Sequence, residues 1–387
     1  MTELFRPLDE LTLLDAYPMY HKLRAADPVH WYDPLKAWIV SSYDNCWFAL
    51  HHAEIFSSDW RRAGVAIPDN LQSIQTLDPP EHGEVHQIVM DAYRQQNSDA
   101  IRGRLENYAE EKVGELTSRK SFDLVADFSA PFAFAAVAEL FGIPGADEER
   151  IVSCSEAIVA AMDSGLTPEA SAPGTAARDR LSAMVSDWLD DPPDTGLLAD
   201  MLRQGQSANV SRDMILNTLR AMLHAGYAPS SRFISTGVLA LLRSPGAWEH
   251  LLAAGVTDAA VRELGRHSGP VQAVARVCSE DTELGGRQLC RGSDVILLIA
   301  AANRDPARFV RPDELDLDRD SAHNLSFGWG VHACVGASLA RLTCTIALSA
   351  LLRHAPGLRL AGEPEHWRHA TLRGLRTLPV TAANASA

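Results

Sequence analysis

The run Phe327-Gly328-Trp329-Gly330-Val331-His332-Ala333-Cys334-Val335-Gly336 carries the chain's clearest chemical signal, and Cys334 is its centre. Ala337, Leu339, Ala340 and Leu342 follow it in a pattern that predicts a helix over residues 334–352. A thiol at a helix N-terminus is drawn towards thiolate by the free N–H groups and the dipole. Gly328 and Gly330 let the preceding loop pass close to a flat ligand. A buried thiolate so placed is the axial ligand that a haem iron needs for cleavage of O–O bonds. The competing reading of a single cysteine in a glycine-containing loop is a buried, inert thiol.

The whole pattern Phe-Gly-x-Gly-x-His-x-Cys-x-Gly resembles the haem-binding signature of the cytochrome P-450 family in its bacterial soluble form. The resemblance spans essentially the full chain and is strongest from Glu263 onwards. It implies a mainly α fold with a small antiparallel β part, shaped as a triangular prism. Heme b (iron protoporphyrin IX) would lie between a long distal helix and the helix behind the cysteine loop. Cys334 would then be the iron ligand, with Phe327, Gly328 and Gly336 beside the cofactor.

A haem carries two propionates, and buried carboxylates demand cationic or hydrogen-bonding partners. Asp78-Pro79-Pro80-Glu81-His82 resembles the family's segment entering a helix beside the haem, with His82 a propionate donor. The family's arginine one turn later is His86 here. A neutral imidazole offers one N–H where guanidinium offers five, so this clamp should be weaker and pH-sensitive. Arg276, in Pro270-Val271-x-x-x-x-Arg276, and His332 resemble the remaining propionate partners. A zinc reading of His332 and Cys334 fails for want of a second ligand pair at zinc spacing. Glu263-Leu264-Gly265-Arg266 resembles the family's Glu-x-x-Arg element, which Arg319 would complete as a buried cluster supporting the cysteine loop. By itself an i, i+3 pair is a weak surface contact.

The distal pattern departs from the family. Where the resemblance calls for Ala-Gly-x-acid-Thr, the chain has Ala225-Gly226-Tyr227-Ala228-Pro229-Ser230. Ala228 holds the acid position and Pro229 the threonine position, and neither carries a proton. Pro229 cannot donate to the carbonyl of Ala225 and should kink the helix. Ser230 is the nearest hydroxyl for a rebuilt relay, and a substrate hydroxyl or amine is another. One reading is a monooxygenase that takes electrons from a ferredoxin or flavodoxin and a reductase, and tailors a small-molecule secondary metabolite. Another is haem-thiolate chemistry without distal proton delivery: peroxide-driven oxidation, oxidative coupling, nitrene-type transfer or dehydration. A third is a catalytically silent haem-binding partner protein.

The elements that must position these groups follow from periodicity and breakers. A helix is expected over 15–26, then strands over 29–32 and 37–41 split by Asp33-Pro34. Helical period marks 98–117, 128–140, 147–162 and 176–189, and one long stretch over 212–242 ends at Ser244-Pro245-Gly246. Strands return over 272–277 and 294–300. Residues 1–387 read as one domain, β-rich near 27–60 and 270–300. The segments 60–76 and 162–177 should line and lid a pocket, with Trp60, Ile67, Ile74 and Leu77 suggesting an apolar ligand.

Composition fits these readings. Hydrophobic residues make up 46% of 387, enough for a large core. Six cysteines without CxxC spacing argue for free thiols in a reducing compartment. A net charge of −15 argues against nucleic acid as a partner. The sequence has no run long and apolar enough for a membrane span, and its first residues lack signal-peptide character, so the expected location is the cytoplasm.

Overall fold

The computed structural model describes residues 4–383, so the ends of the expected 1–387 domain lie outside the described residues. Helices dominate, as the periodicity predicts. Helices Tyr17–Ala26, Ser98–Leu116, Glu148–Met162 and Ser171–Asp190 fall within a few residues of the expected spans. Helix Ala130–Phe141 follows a π turn over Val125–Ser129.

The long helix runs Arg212–Arg243 without a break. Its 32 residues extend about 48 Å at 1.5 Å per residue. Ser211 caps it by accepting from the Met214 N–H, Asp213 sits in its first turn and Arg243 in its last, so both ends complement the dipole. Pro229 lies inside it, and the helix continues on both sides of the missing donor. Helix Ala130–Phe141, the proximal helix Ala337–His354 and helix Asp258–Ser268 pack against it.

A five-stranded sheet lies to one side in the order Val29–Tyr32, Ala37–Val40, Asp294–Leu297, Val274–Cys278, Phe56–Ser57. Its pairs are antiparallel except for Ala37–Val40 with Asp294–Leu297. The first hairpin turns through Asp33–Leu35 and a left-handed Lys36. Its register sets Trp31 opposite Trp38, with ring centroids 5.4 Å apart. The expected strand over 294–300 is shorter: after Leu297 the chain becomes helix Ile299–Ala302, buried throughout. This change of period brings Asn303 to the Leu325 and Ser326 segment that leads into the cysteine loop. Among the described residues no helix is long and apolar enough to cross a membrane.

Candidate active site

Cys334 does not open the proximal helix. It stands three residues before Ala337, in a loop closed by its own N–H donating to the Phe327 carbonyl at 2.8 Å. The short turn Gly330–His332 and Gly336 separate it from the earlier loop and from the helix. Cys334 is exposed, its surface open to the cavity; the protein packed around it still desolvates the thiol and pushes its pKa up, while the N–H groups of Gly336 and Ala337 and the charge of Arg341 pull it down. Desolvation by the surrounding protein wins, so the helix start moderates the rise without reversing it.

The two loop glycines have different tasks. Gly328 (φ 66°) lines the cavity beside Cys334. Gly330 (φ 73°) packs instead on the neighbouring helix Tyr43–His51, where a Cβ would meet the Leu50 carbonyl oxygen at 2.5 Å. Only glycine satisfies both the backbone angle and that approach.

A cavity of about 510 Å³ adjoins Cys334, within the range of small-molecule and cofactor sites. Its walls are mainly apolar, including Val137, Phe141, Met222, Phe233, Val271 and Leu339. Phe327, Gly328, His332, Cys334 and Gly336 all line it, so the cysteine loop forms one wall.

One edge of the cavity is polar. His82, Arg276 and His332 converge there from the start of helix Glu81–Arg94, the strand Val274–Cys278 and the cysteine loop. Asp78, fully buried, organises the edge: His332 Nε2 meets its Oδ1 at 2.6 Å, Ser57 donates to its Oδ2, and Arg62 Nε lies 3.8 Å away. Burial works against ionisation of Asp78, but the His332 and Ser57 hydrogen bonds and nearby positive charge outweigh it and hold the carboxyl below its usual range. Among the described residues Arg276 bonds the carbonyl of Ala275 alone, at 2.8 Å, and burial lowers its pKa to about 10 against the pull of Asp78. His82 is buried with its ring edge-on to His332 at 4.6 Å, and burial with the two neighbouring imidazoles lowers its pKa to about 4.

His86 does not join this edge. Its ring lies behind His82 at 5.3 Å, away from the cavity lining. Burial, Arg94 and His332 all push its pKa down. The expected second donor one turn on is therefore displaced outward.

Behind the loop, the Glu263, Arg266 and Arg319 cluster forms as expected. Arg266 grips Glu263 through two bonds of 2.7 Å, both side chains are fully buried, and Arg319 Nε reaches Glu263 Oε1 at 3.1 Å. The remaining Arg266 donors go to the carbonyls of Asn303, Pro312 and Glu314. Asn303 then carries the order to the cavity wall: its Oδ1 accepts from the Leu325 N–H at 2.7 Å and its Nδ2 donates to Ser326 Oγ at 2.9 Å. The sequence reading missed this linking role of Asn303, which depends on residues 22 and 37 positions away.

On the distal side, Ala225, Gly226, Pro229, Ser230 and Phe233 present one face of the long helix to the cavity. Ala228 is fully buried on another face and does not line the cavity. A Cβ on Gly226 would stand 3.0 Å from Val137, so this glycine also serves close helix packing. The expected lid contributes less than the sequence suggested. From 60–76 only Ile74 and Gln75 line the cavity, and from 162–177 no residue does. Trp60 instead bonds Asp294 through its indole N–H at 2.9 Å, and Leu77 belongs to the helical core. Tyr93 was not foreseen: it lines the cavity with a buried hydroxyl that has no partner among the described residues, and burial raises its pKa to about 12.

The donor set fits a haem. A thiol stands on one wall, apolar surface encloses the space, and a buried guanidinium, without a carboxylate partner among the described residues, joins two imidazoles where two propionates would need them.

The family model for cytochrome P450 matches residues 247–355. Cytochrome P450 CYP107DY1 of Priestia megaterium is 32% identical, over 80% of this chain and 77% of its own length. Cytochrome P450 monooxygenase PikC of Streptomyces venezuelae is 29% identical, over 95% of this chain and 91% of its own. The solved structure of the Bacillus subtilis bacillaene polyketide synthase cytochrome P450 PksS matches with a TM-score of 0.85 at 28% identity, over 98% of this chain and 100% of that one. The chain belongs to the cytochrome P450 family and is an oxidoreductase of that family.

Proposed function

We propose that this enzyme is a monooxygenase acting on a medium-sized, largely apolar secondary metabolite, and that Cys334 would hold the iron of heme b. The observation that carries the reading is the position of Cys334 on the wall of an apolar cavity whose polar edge holds His82, Arg276 and His332. The names of PikC, a monooxygenase, and PksS, of a polyketide synthase, support the reaction class and a polyketide-like substrate.

When bound, the haem supplies oxygen activation with two electrons, delivered here by a ferredoxin or flavodoxin and its reductase. The chain's residues do the rest. The N–H groups of Gly336 and Ala337 favour negative charge on the sulfur. Arg276, His82 and His332 would hold the propionates; Nε2 of His332 is already committed to Asp78. Met222, Phe233 and Val271 exclude water from the reacting bond. Ser230 is the cavity-facing hydroxyl of the long helix and holds a proton at Oγ, assisted by any hydroxyl or amine the substrate brings.

A second reading draws on Pro229, which faces the cavity where the family has a proton-carrying side chain. It is oxidation or group transfer that needs no distal proton. The two readings separate in one comparison. With ferredoxin, reductase and labelled oxygen, a monooxygenase leaves one oxygen atom of O2 in the product. Product formed from an N–O substrate under nitrogen, without peroxide, would remove the monooxygenase reading.

A further inference from the structure

Residues 224, 227, 228, 231 and 232 recur at helical spacing and form a second face of the long helix, buried and turned from the cavity. Helices Glu148–Met162 and Ser171–Asp190 pack on this side. Arg232 Nη2 meets Glu156 Oε2 at 2.7 Å, and its Nη1 reaches the Ala228 carbonyl at 3.4 Å. A cation thus stands one turn beyond the missing acid position, and the carboxylate it holds comes from the neighbouring helix.

Three buried nitrogens around this pair have no partner among the described residues: Arg232 Nε, His224 Nδ1 and His369 Nδ1. The charge of Arg232 acts on both histidines, and the charges of Glu156 and Arg232 act on Tyr227, so these groups share one region. Folded proteins meet such buried polar atoms with ordered water. On the cavity face, the Ala225 carbonyl lacks its helical donor because Pro229 has no N–H. That carbonyl and Ser230 are acceptors for water where the two faces of the helix meet.

We propose that Glu156 is the acid of this enzyme's proton supply, feeding the cavity through waters held on Arg232 and His224 and received at the Ala225 carbonyl and Ser230. The proposal rests on the monooxygenase reading. Glu156 keeps 26% of its side chain exposed while Arg232 keeps 3%, so the pair joins bulk water to the interior. The carboxylate takes a proton from bulk water, passes it to the first seam water and returns to carboxylate. Arg232 stays protonated throughout. Pro229 then has a function: it frees a carbonyl at the point where the family's alcohol would stand.

Two measurements test this. A high-resolution crystal structure of the haem-loaded enzyme should show ordered waters on Arg232 Nε and His224 Nδ1 continuing to the Ala225 carbonyl; a dry seam overturns the proposal. Glu156→Gln keeps an acceptor for Arg232; it should lower the melting temperature, because a buried cation loses its counter-charge, but leave the reduced carbon monoxide spectrum as in the wild type. It should raise the share of electrons lost as hydrogen peroxide by about tenfold, and Glu156→Asp should restore most of the coupling. An unchanged peroxide share in Glu156→Gln, with a wild type that turns over, overturns the proposal alone. A wild type that draws no electrons to oxygen overturns the monooxygenase reading and this proposal with it.

Discussion

On the proximal side, Glu263, Arg266 and Arg319 satisfy every buried charge against a partner, and Asn303 hands that order to Leu325 and Ser326 on the cavity wall. On the distal side, His224 and Arg232 each keep a buried nitrogen with no partner among the described residues, and Pro229 deprives Ala225 of its backbone donor. The contrast maps onto what each side must do. A cysteine loop has to hold one sulfur in one place, which favours a closed network. A proton path has to exchange water with solvent, which requires polar groups that the protein itself leaves open.

The largest expected effect comes from opening the closed side. Glu263→Ala strands the Arg266 guanidinium in a fully buried site and should cost about 3–5 kcal/mol in chemical denaturation, with loss of cofactor retention. Asp78→Asn keeps an amide oxygen for His332 but removes the buried negative charge that faces His332 and Arg62, and should cost about 1–3 kcal/mol at pH 7. Because the folded carboxyl of Asp78 sits below its unfolded value, its contribution is present above the unfolded pKa near 4 and fades as pH falls through the lower folded value. The difference between wild type and Asp78→Asn should therefore shrink in acid; a constant difference would contradict the depressed carboxyl.

The distal side should respond to acid with its own signature. Burial, with Arg232 and Arg178, lowers the pKa of His224 to about 4, against an unfolded value near 6.5. Between those values the unfolded chain binds the extra proton, so stability falls as pH drops, by on the order of 1.4 kcal/mol per pH unit for this one group. His224→Leu should flatten the acid limb between about pH 6.5 and 4 by that slope. An unchanged limb would mean that His224 is not buried neutral. A smaller effect is expected at Gly330→Ala, about 1–3 kcal/mol from the left-handed backbone and the approach to Leu50.

What the sequence revealed follows the range of its interactions. The long helix, the first hairpin and the Cys334 loop are local patterns, and their spans were legible to within a few residues. Glu263 and Arg266 sit three apart on one helix, so their pairing was readable too. The Asp78–His332 bond joins residues 254 positions apart, and the Arg232–Glu156 bond 76 apart. No periodicity encodes which distant loop or helix will face a given side chain. His86 and Ala228 show the same limit: each was placed by its motif position, while packing turned one behind His82 and the other away from the cavity. The segment 162–177 was assigned to the lid by analogy of position, but the packing of helices Glu148–Met162 and Ser171–Asp190 on the long helix keeps it off the cavity lining.

The central claim is that Cys334 binds haem iron as a thiolate on the closed side of the cavity, and it is tested most directly by the optical spectrum of the reduced, carbon monoxide-treated protein. The account predicts the strongly red-shifted Soret band of thiolate ligation in the wild type and its loss in Cys334→Ser. An unshifted band in folded, haem-loaded wild type would contradict it.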